Sequence, residues 1–198
     1  MDREQAAGTL ELLRKVVAQA RDDTALENWG IIWLLSAFSN TAGFEGTQYL
    51  FSTDHKTPWP YVGMWLGVLT VNGIVIAIFK EKPKGNRSFI ERQIWSIWNT
   101  CIVALGLAAI VNYLIGLTTL FMPAVACIIV AMTFSMMGAI MGAWWYLPAG
   151  VWAAMSLVIA ALPSLQFALF GGIWFVTQAT SGAFLHRARL RKLRGETP

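Results

Sequence analysis

The amino-acid sequence predicts an all-α, polytopic membrane protein, with six transmembrane helices in a bundle preceded by a cytoplasmic amphipathic helix. The first observation is composition, because 56% of the 198 residues are hydrophobic and only 13% are charged. A soluble domain carries roughly a quarter charged residues. The second observation is that no Asp, Glu, Lys or Arg occurs between Gln93 and Leu185. A water-soluble fold could not continue so far without a charge, so the sequence requires a bilayer as its solvent.

The first element is a helix at residues 5–22, within a predicted cytoplasmic region of residues 1–27. Leu10, Leu13 and Val17 recur at helical spacing, and charged residues occupy the other side. We expect this helix to lie on the inner leaflet or against the protein's own loops. The alternative is that it docks a soluble cytoplasmic partner. The start of the chain lacks the short apolar core of a signal peptide.

Six apolar segments follow the amphipathic helix. A helix that spans a bilayer needs roughly 20 residues, and most of these segments meet that length. The fifth segment is short and is bracketed by Pro148, which is expected to start its helix, and by Pro163, which is expected to begin the next turn. Short joins after the third, fourth and fifth segments predict antiparallel neighbours. The predicted bounds are 28–51, 60–79, 95–117, 122–145, 148–163 and 164–185, which gives a transmembrane domain at 28–185 and a basic tail at 186–198.

The third observation is the placement of the basic residues, which predicts orientation. If there are six spans, 14 of the 15 lysines and arginines fall on one side, and only Lys56 falls opposite. Basic flanks remain on the cytoplasmic side, so we expect a multi-pass protein of the inner membrane with both termini in the cytoplasm. The basic clusters are therefore flanks that face lipid headgroups and do not indicate nucleic-acid binding. Tryptophans should mark the two interfaces, with most at the inner ends, namely Trp29, Trp95, Trp98, Trp144 and Trp145.

The first apolar segment contains an unusual number of polar residues. Its apolar run at 29–38 covers only about half a bilayer, so the segment must continue through 39–51 to cross. Glu45 would then lie about six residues, or roughly 9 Å, below the outer end. On a helical wheel the polar residues cover about half the circumference, and we expect this polar face to be directed away from lipid.

These polar residues predict a candidate cavity that opens outward. Depth along the helices brings Asn112 near Glu45 and places Gln166 at the outer edge, while Asn72, Asn99 and Gln178 form a second level near the inner side. Polar residues within a membrane normally face the bundle interior or a water-filled cavity. The predicted lining is Glu45, Asn40, Gln48, Asn112, Gln166 and Asn72.

Glu45 is the only ionisable group of this predicted cavity, and two roles remain open for it. A desolvated carboxyl group could carry a proton or bind a cationic group. Alternatively, Glu45 is hydrated at the headgroup level, or it is hydrogen-bonded to Gln48 and Asn112 and holds the helices together.

Other chemistry-bearing residues give weaker signals. Cys101 and Cys127 should lie on adjacent helices at depths more than roughly 10 Å apart, which is beyond disulfide reach. The pairs Gly138/Gly142 and Gly63/Gly67 have the spacing of close-packing surfaces, which makes a tight bundle or a homo-oligomer plausible. We expect no catalytic set, no cofactor and no metal site, since the sequence lacks a nucleotide-binding, metalloprotease or serine-hydrolase motif.

Three classes of function are compatible with the sequence. The leading expectation is a small, non-enzymatic membrane component that binds or scaffolds a partner. The alternative is a small oligomeric transporter or channel-like protein that uses the cavity around Glu45. The third class is an intramembrane enzyme, which would have only a single carboxylate and a few amides as catalytic groups.

Overall fold

The computed structural model describes residues 8, 11–12, 28–55, 57–79, 89–115 and 122–194. Within these residues the regular structure is helical, which confirms the predicted all-α class. The α-helices are α1 (Trp29–Ser52), α2 (Trp59–Phe79), α3 (Phe89–Leu114), α4 (Pro123–Met141), α5 (Tyr146–Ala161) and α6 (Gln166–Leu193). The predicted amphipathic helix at 5–22 lies almost wholly outside the described residues and stays a prediction.

Five of the helices, α2 to α6, are long and apolar enough to cross a membrane. This finding confirms that the chain is a helical protein suited to a bilayer. The helix α1 has 24 residues, within the range of 16 to 28 residues of the other five, but it is not among these five. The predicted count of six spans therefore depends on α1.

Glycine and proline set the helix boundaries in the second half of the chain. Gly142 has φ 117°, a value that L side chains rarely adopt, and it ends α4 four residues before the predicted end at 145. A 3-10 turn at Ala143–Trp145 leads into α5. A second 3-10 turn begins at Pro163, as predicted, and leads into α6. No glycine or proline occurs between Leu185 and Leu193, and α6 continues through the basic residues to Leu193 instead of ending at 185.

The longest interhelical contact is an antiparallel packing of α1 against α6. At one end, a Cβ added to Gly182 would stand 2.8 Å from the carbonyl oxygen of Gly30, so the two backbones touch there. At the other end, the rings of Phe51 and Phe167 have centroids 5.4 Å apart. Glycines on facing helices allow this close approach in a membrane, where lipid gives no hydrophobic drive for helices to associate.

Aromatic rings fill the space that α1, α5 and α6 enclose. Trp152 of α5 is completely buried, and its ring centroid lies 5.1 Å from that of Phe170 on α6. Phe44 of α1 contacts the same Phe170 ring, with centroids 4.7 Å apart, and also contacts Trp65 of α2. These rings join four helices into one core.

Five tryptophans gather at one end of the bundle, which we call the tryptophan end. It comprises the starts of α1 and α3 and the 3-10 turn before α5. Edge-to-face contacts join Trp29 to Trp95 and join Trp33 to both Trp98 and Trp145, with centroids 4.9 to 6.0 Å apart. Leu185 of α6 lies at the same end, beside the basic residues that close that helix.

Candidate functional site

A chain of hydrogen-bonded amides crosses the middle of the bundle from α2 through α1 to α6. Ser39 Oγ donates to Asn72 Oδ1 at 2.5 Å, and Asn72 Nδ2 donates to Asn40 Oδ1 at 2.8 Å. Asn40 Nδ2 then donates to Gln178 Oε1 at 3.3 Å, and Trp174 Nε1 donates to the same oxygen at 2.6 Å. We call these five residues the amide relay.

The amide relay satisfies polar groups that would be costly in a lipid environment. Each carbonyl oxygen of Asn72, Asn40 and Gln178 accepts at least one hydrogen bond from a neighbouring helix or from its own. Interhelical hydrogen bonds of this kind stabilise membrane helix packing by about 0.6 to 2 kcal/mol each. The relay therefore fixes the rotation of α1 against both α2 and α6.

Gln48 has a separate role at the opposite end of the bundle from the tryptophans. Its Oε1 accepts hydrogen bonds from the backbone N–H groups of Phe167 and Ala168, each at 3.2 Å. Its Nε2 donates to the carbonyl oxygen of Ser164 at 2.8 Å. The first N–H groups of a helix have no partner within the helix. Gln48 of α1 thus caps the start of α6.

Glu45 lies apart from both sets of hydrogen bonds. Its side chain is exposed, and no hydrogen bond or ion pair joins it to another of the described residues. It belongs to a line of exposed residues on α1, which we call the α1 stripe and which comprises Leu35, Phe38, Ala42, Glu45, Tyr49 and Ser52. The neighbouring turn of α6 is close, since Glu45 Oε1 is 3.6 Å from the position of a Cβ at Gly171.

The structure thus divides the six residues of the predicted cavity. Asn40 and Asn72 are in direct contact in the amide relay. Gln48 and the half-buried Gln166 lie at the end of the bundle where α6 begins. Asn112 is buried in the last turn of α3.

Sequence reasoning did not identify Ser39 and Trp174 as members of the relay. Trp174 and Gln178 are four residues apart and therefore share a face of α6. That spacing could have indicated that Trp174 belongs to the relay. No sequence pattern indicated Ser39, because a serine beside an asparagine fits either face of a helix.

A cavity of ≈ 40 Å³ opens at the tryptophan end, which the sequence did not predict. It is lined by tryptophan rings and by apolar side chains such as Met137, Met141 and Leu185. The volume is well below the 150 Å³ of an engineered cavity that holds benzene. The cavity is therefore small and almost wholly apolar.

The cysteines and the paired glycines lie outside the amide relay. Cys101 and Cys127 are free and buried, and Cys101 lies against Thr133, six residues beyond Cys127 on α4. Gly138 faces the ring of Tyr146, whereas nothing lies within 4 Å of a Cβ at Gly63 or Gly67. Among the described residues, no three of His, Cys, Asp and Glu come together as metal ligands would.

Comparison of the chain with protein-family models, with curated proteins and with solved structures found no match. The site must therefore be interpreted from its own geometry.

Proposed function

We propose that the protein is a non-enzymatic component of the inner membrane that binds a partner protein. The observation that carries this proposal is how α1 uses its polar groups. Asn40 and Gln48 are occupied by hydrogen bonds to α2 and α6, while the α1 stripe, with Glu45 at its centre, is exposed. Interior amides that bond to one another have little capacity left for a substrate, whereas an exposed helix face is free for a partner.

The proposal includes six crossings, with both termini in the cytoplasm. The support is that α1 contacts α6 from Gly30 to Phe51, so a bilayer that covers α6 also covers α1. The antiparallel arrangement brings the start of α1 beside the end of α6, as an even number of crossings requires. The basic residues from Arg187 to Arg194 close α6 at that end, which favours the cytoplasmic side for it.

Two further partners of the chain belong to the same proposal. The helix predicted at 5–22 would be the segment that meets a cytoplasmic protein. The open surface at Gly63 and Gly67 of α2 would let a second helix approach closely, as in a homo-oligomer.

A thiol-accessibility experiment separates this proposal from the transporter alternative. Cysteines are introduced one at a time at positions 40, 72 and 112, and a membrane-impermeant thiol reagent is applied to intact cells. We expect no labelling, because these positions are packed between helices. Cysteine at position 40 or 72 removes a member of the amide relay, whereas Ser36→Cys leaves the relay intact. Ser36 is buried, so this variant probes the same interior.

Asp54→Cys serves as the positive control, since Asp54 is exposed in the turn after α1 and should react fully. Labelling at Ser36→Cys and at position 40 or 72 would mean that water reaches the middle of the bundle. That result would overturn the scaffold proposal in favour of transport.

A further inference from the structure

We propose that the α1 stripe docks a transmembrane helix of another protein that carries a lysine or arginine at the depth of Glu45. This inference rests on the proposed function and defines the partner's chemistry.

The stripe has the spacing of a helix-pairing seam. Its members are separated alternately by three and four residues from position 35 to position 52, the spacing at which one helix packs along another. Phe38 and Tyr49 are 62% and 66% exposed, so large side chains stand on either side of Glu45 along the seam. Ala42 between them is small, which allows the backbone of a partner helix to approach.

Side chains of α2 and α6 border the stripe on its two sides. On the α6 side, Phe38 contacts Phe175 with ring centroids 5.1 Å apart, and Thr41 Oγ1 donates to the carbonyl oxygen of Gly171 at 3.4 Å. On the α2 side, Gly46 contacts the side chain of Met64. A helix laid on the stripe would therefore touch three helices of this bundle.

Charge selects the partner. Glu45 lies seven residues before the end of α1 at Ser52, or about 10 Å along the helix axis. Among the residues that the structure describes, no basic side chain pairs with Glu45, and ionisable side chains within a spanning helix normally pair with one another. A basic side chain on a partner helix would complement the charge of Glu45.

A second copy of the chain cannot supply that basic side chain. Between Trp29 and Phe79 the only lysine or arginine is Lys56, which follows the end of α1, and there is none between Gln93 and Leu185. Two copies paired through their stripes would instead bring two carboxylates together, and like charges repel. The geometry therefore favours a different polypeptide.

The test uses the full chain in liposomes and three synthetic single-span helices as probes. The first probe is built of leucine and alanine and has one lysine at the depth of Glu45. The second has leucine in place of that lysine, and the third has the lysine two turns deeper. Each probe carries one cysteine placed to meet Ala42→Cys of the protein, and the yield of the mixed disulfide is measured. The native Cys101 and Cys127 are buried and do not compete.

We expect the first probe to crosslink about three- to thirtyfold more than the other two, which is the range that one interhelical polar contact supports. Glu45→Gln should remove that preference. The matched control is Thr70→Cys on the exposed face of α2, which lies at the depth of Ala42 because Trp65 bonds Thr47 and Asn72 bonds Asn40. At this control position the lysine should have no effect. All variants must share the unfolding midpoint of the parent protein.

Four results would overturn the inference. The first is equal crosslinking of the lysine and leucine probes, and the second is a lysine preference that survives Glu45→Gln. Another is efficient Ala42→Cys disulfide formation between two copies without any probe. The last is reaction of Ala42→Cys with a membrane-impermeant thiol reagent, which would mean that the stripe lines water and faces a small cation. The proposed function fails separately, by labelling of Ser36→Cys together with labelling at position 40 or 72.

Discussion

At the scale of single residues, the polar groups of α1 separate into two sets that face different ways. Asn40 and Glu45 are five residues apart, which is about 140° of rotation on an α-helix. Asn40 therefore meets Asn72 and Gln178, while Glu45 points away from them. The sequence predicts that α1 is polar over half its circumference. It cannot tell which half packs against neighbours, because that depends on where α2 and α6 lie.

The amide relay should behave as a coupled unit. We expect Asn40→Ala and Asn72→Ala each to lower the free energy of unfolding, because each leaves a polar partner unsatisfied in the bundle. A double-mutant cycle in detergent unfolding should give a coupling energy of about 0.6 to 2 kcal/mol between them. The pair Ser52→Ala and Asn72→Ala is the control, since Ser52 bonds only within its own turn, to the carbonyl oxygen of Tyr49. Additive effects of Asn40→Ala and Asn72→Ala would contradict the relay.

At the scale of helices, the sequence predicts where each element lies more accurately than how the elements pack. The predicted bounds of α1 and α2 lie within one residue of those observed. The predicted end of α6, at 185, lies eight residues before the observed end at Leu193. The prediction was wrong because the apolar run that marks a membrane segment stops before the helix does. The pairing of α1 with α6 joins residues more than 100 positions apart, and no local pattern encodes it.

The close packing of α1 on α6 can be tested with two adjacent glycines. A Cβ at Gly171 would stand 2.7 Å from Phe44 Cβ, whereas nothing lies within 4 Å of a Cβ at Gly172. We expect Gly171→Ala to lower the free energy of unfolding by about 1 to 3 kcal/mol, the usual cost of overpacking. Gly172→Ala should change it by less than about 0.5 kcal/mol. Equal effects of the two substitutions would show that α1 does not lie against this turn of α6.

At the scale of the whole molecule, the helices form a bundle, and at each end of it the start of one helix lies beside the end of another. The tryptophan end joins the starts of α1 and α3 with the end of α6, and the cap by Gln48 joins the end of α1 to the start of α6. Composition predicts the membrane class because so few charges cannot cover a water-facing surface. The role proposed for Glu45 could not be predicted from the sequence, because it depends on the exposed face of α1 on which Glu45 lies.

We propose that α1 crosses the bilayer beside α6 and carries Glu45 into it. The most direct measurement is membrane-impermeant thiol labelling of Asn28→Cys and Asp54→Cys, which lie just before and just after α1. In intact cells we expect Asp54→Cys to be labelled and Asn28→Cys to react only after permeabilisation. Labelling of both positions in intact cells, or of neither, would mean that α1 returns to the side from which it started, which would contradict the account.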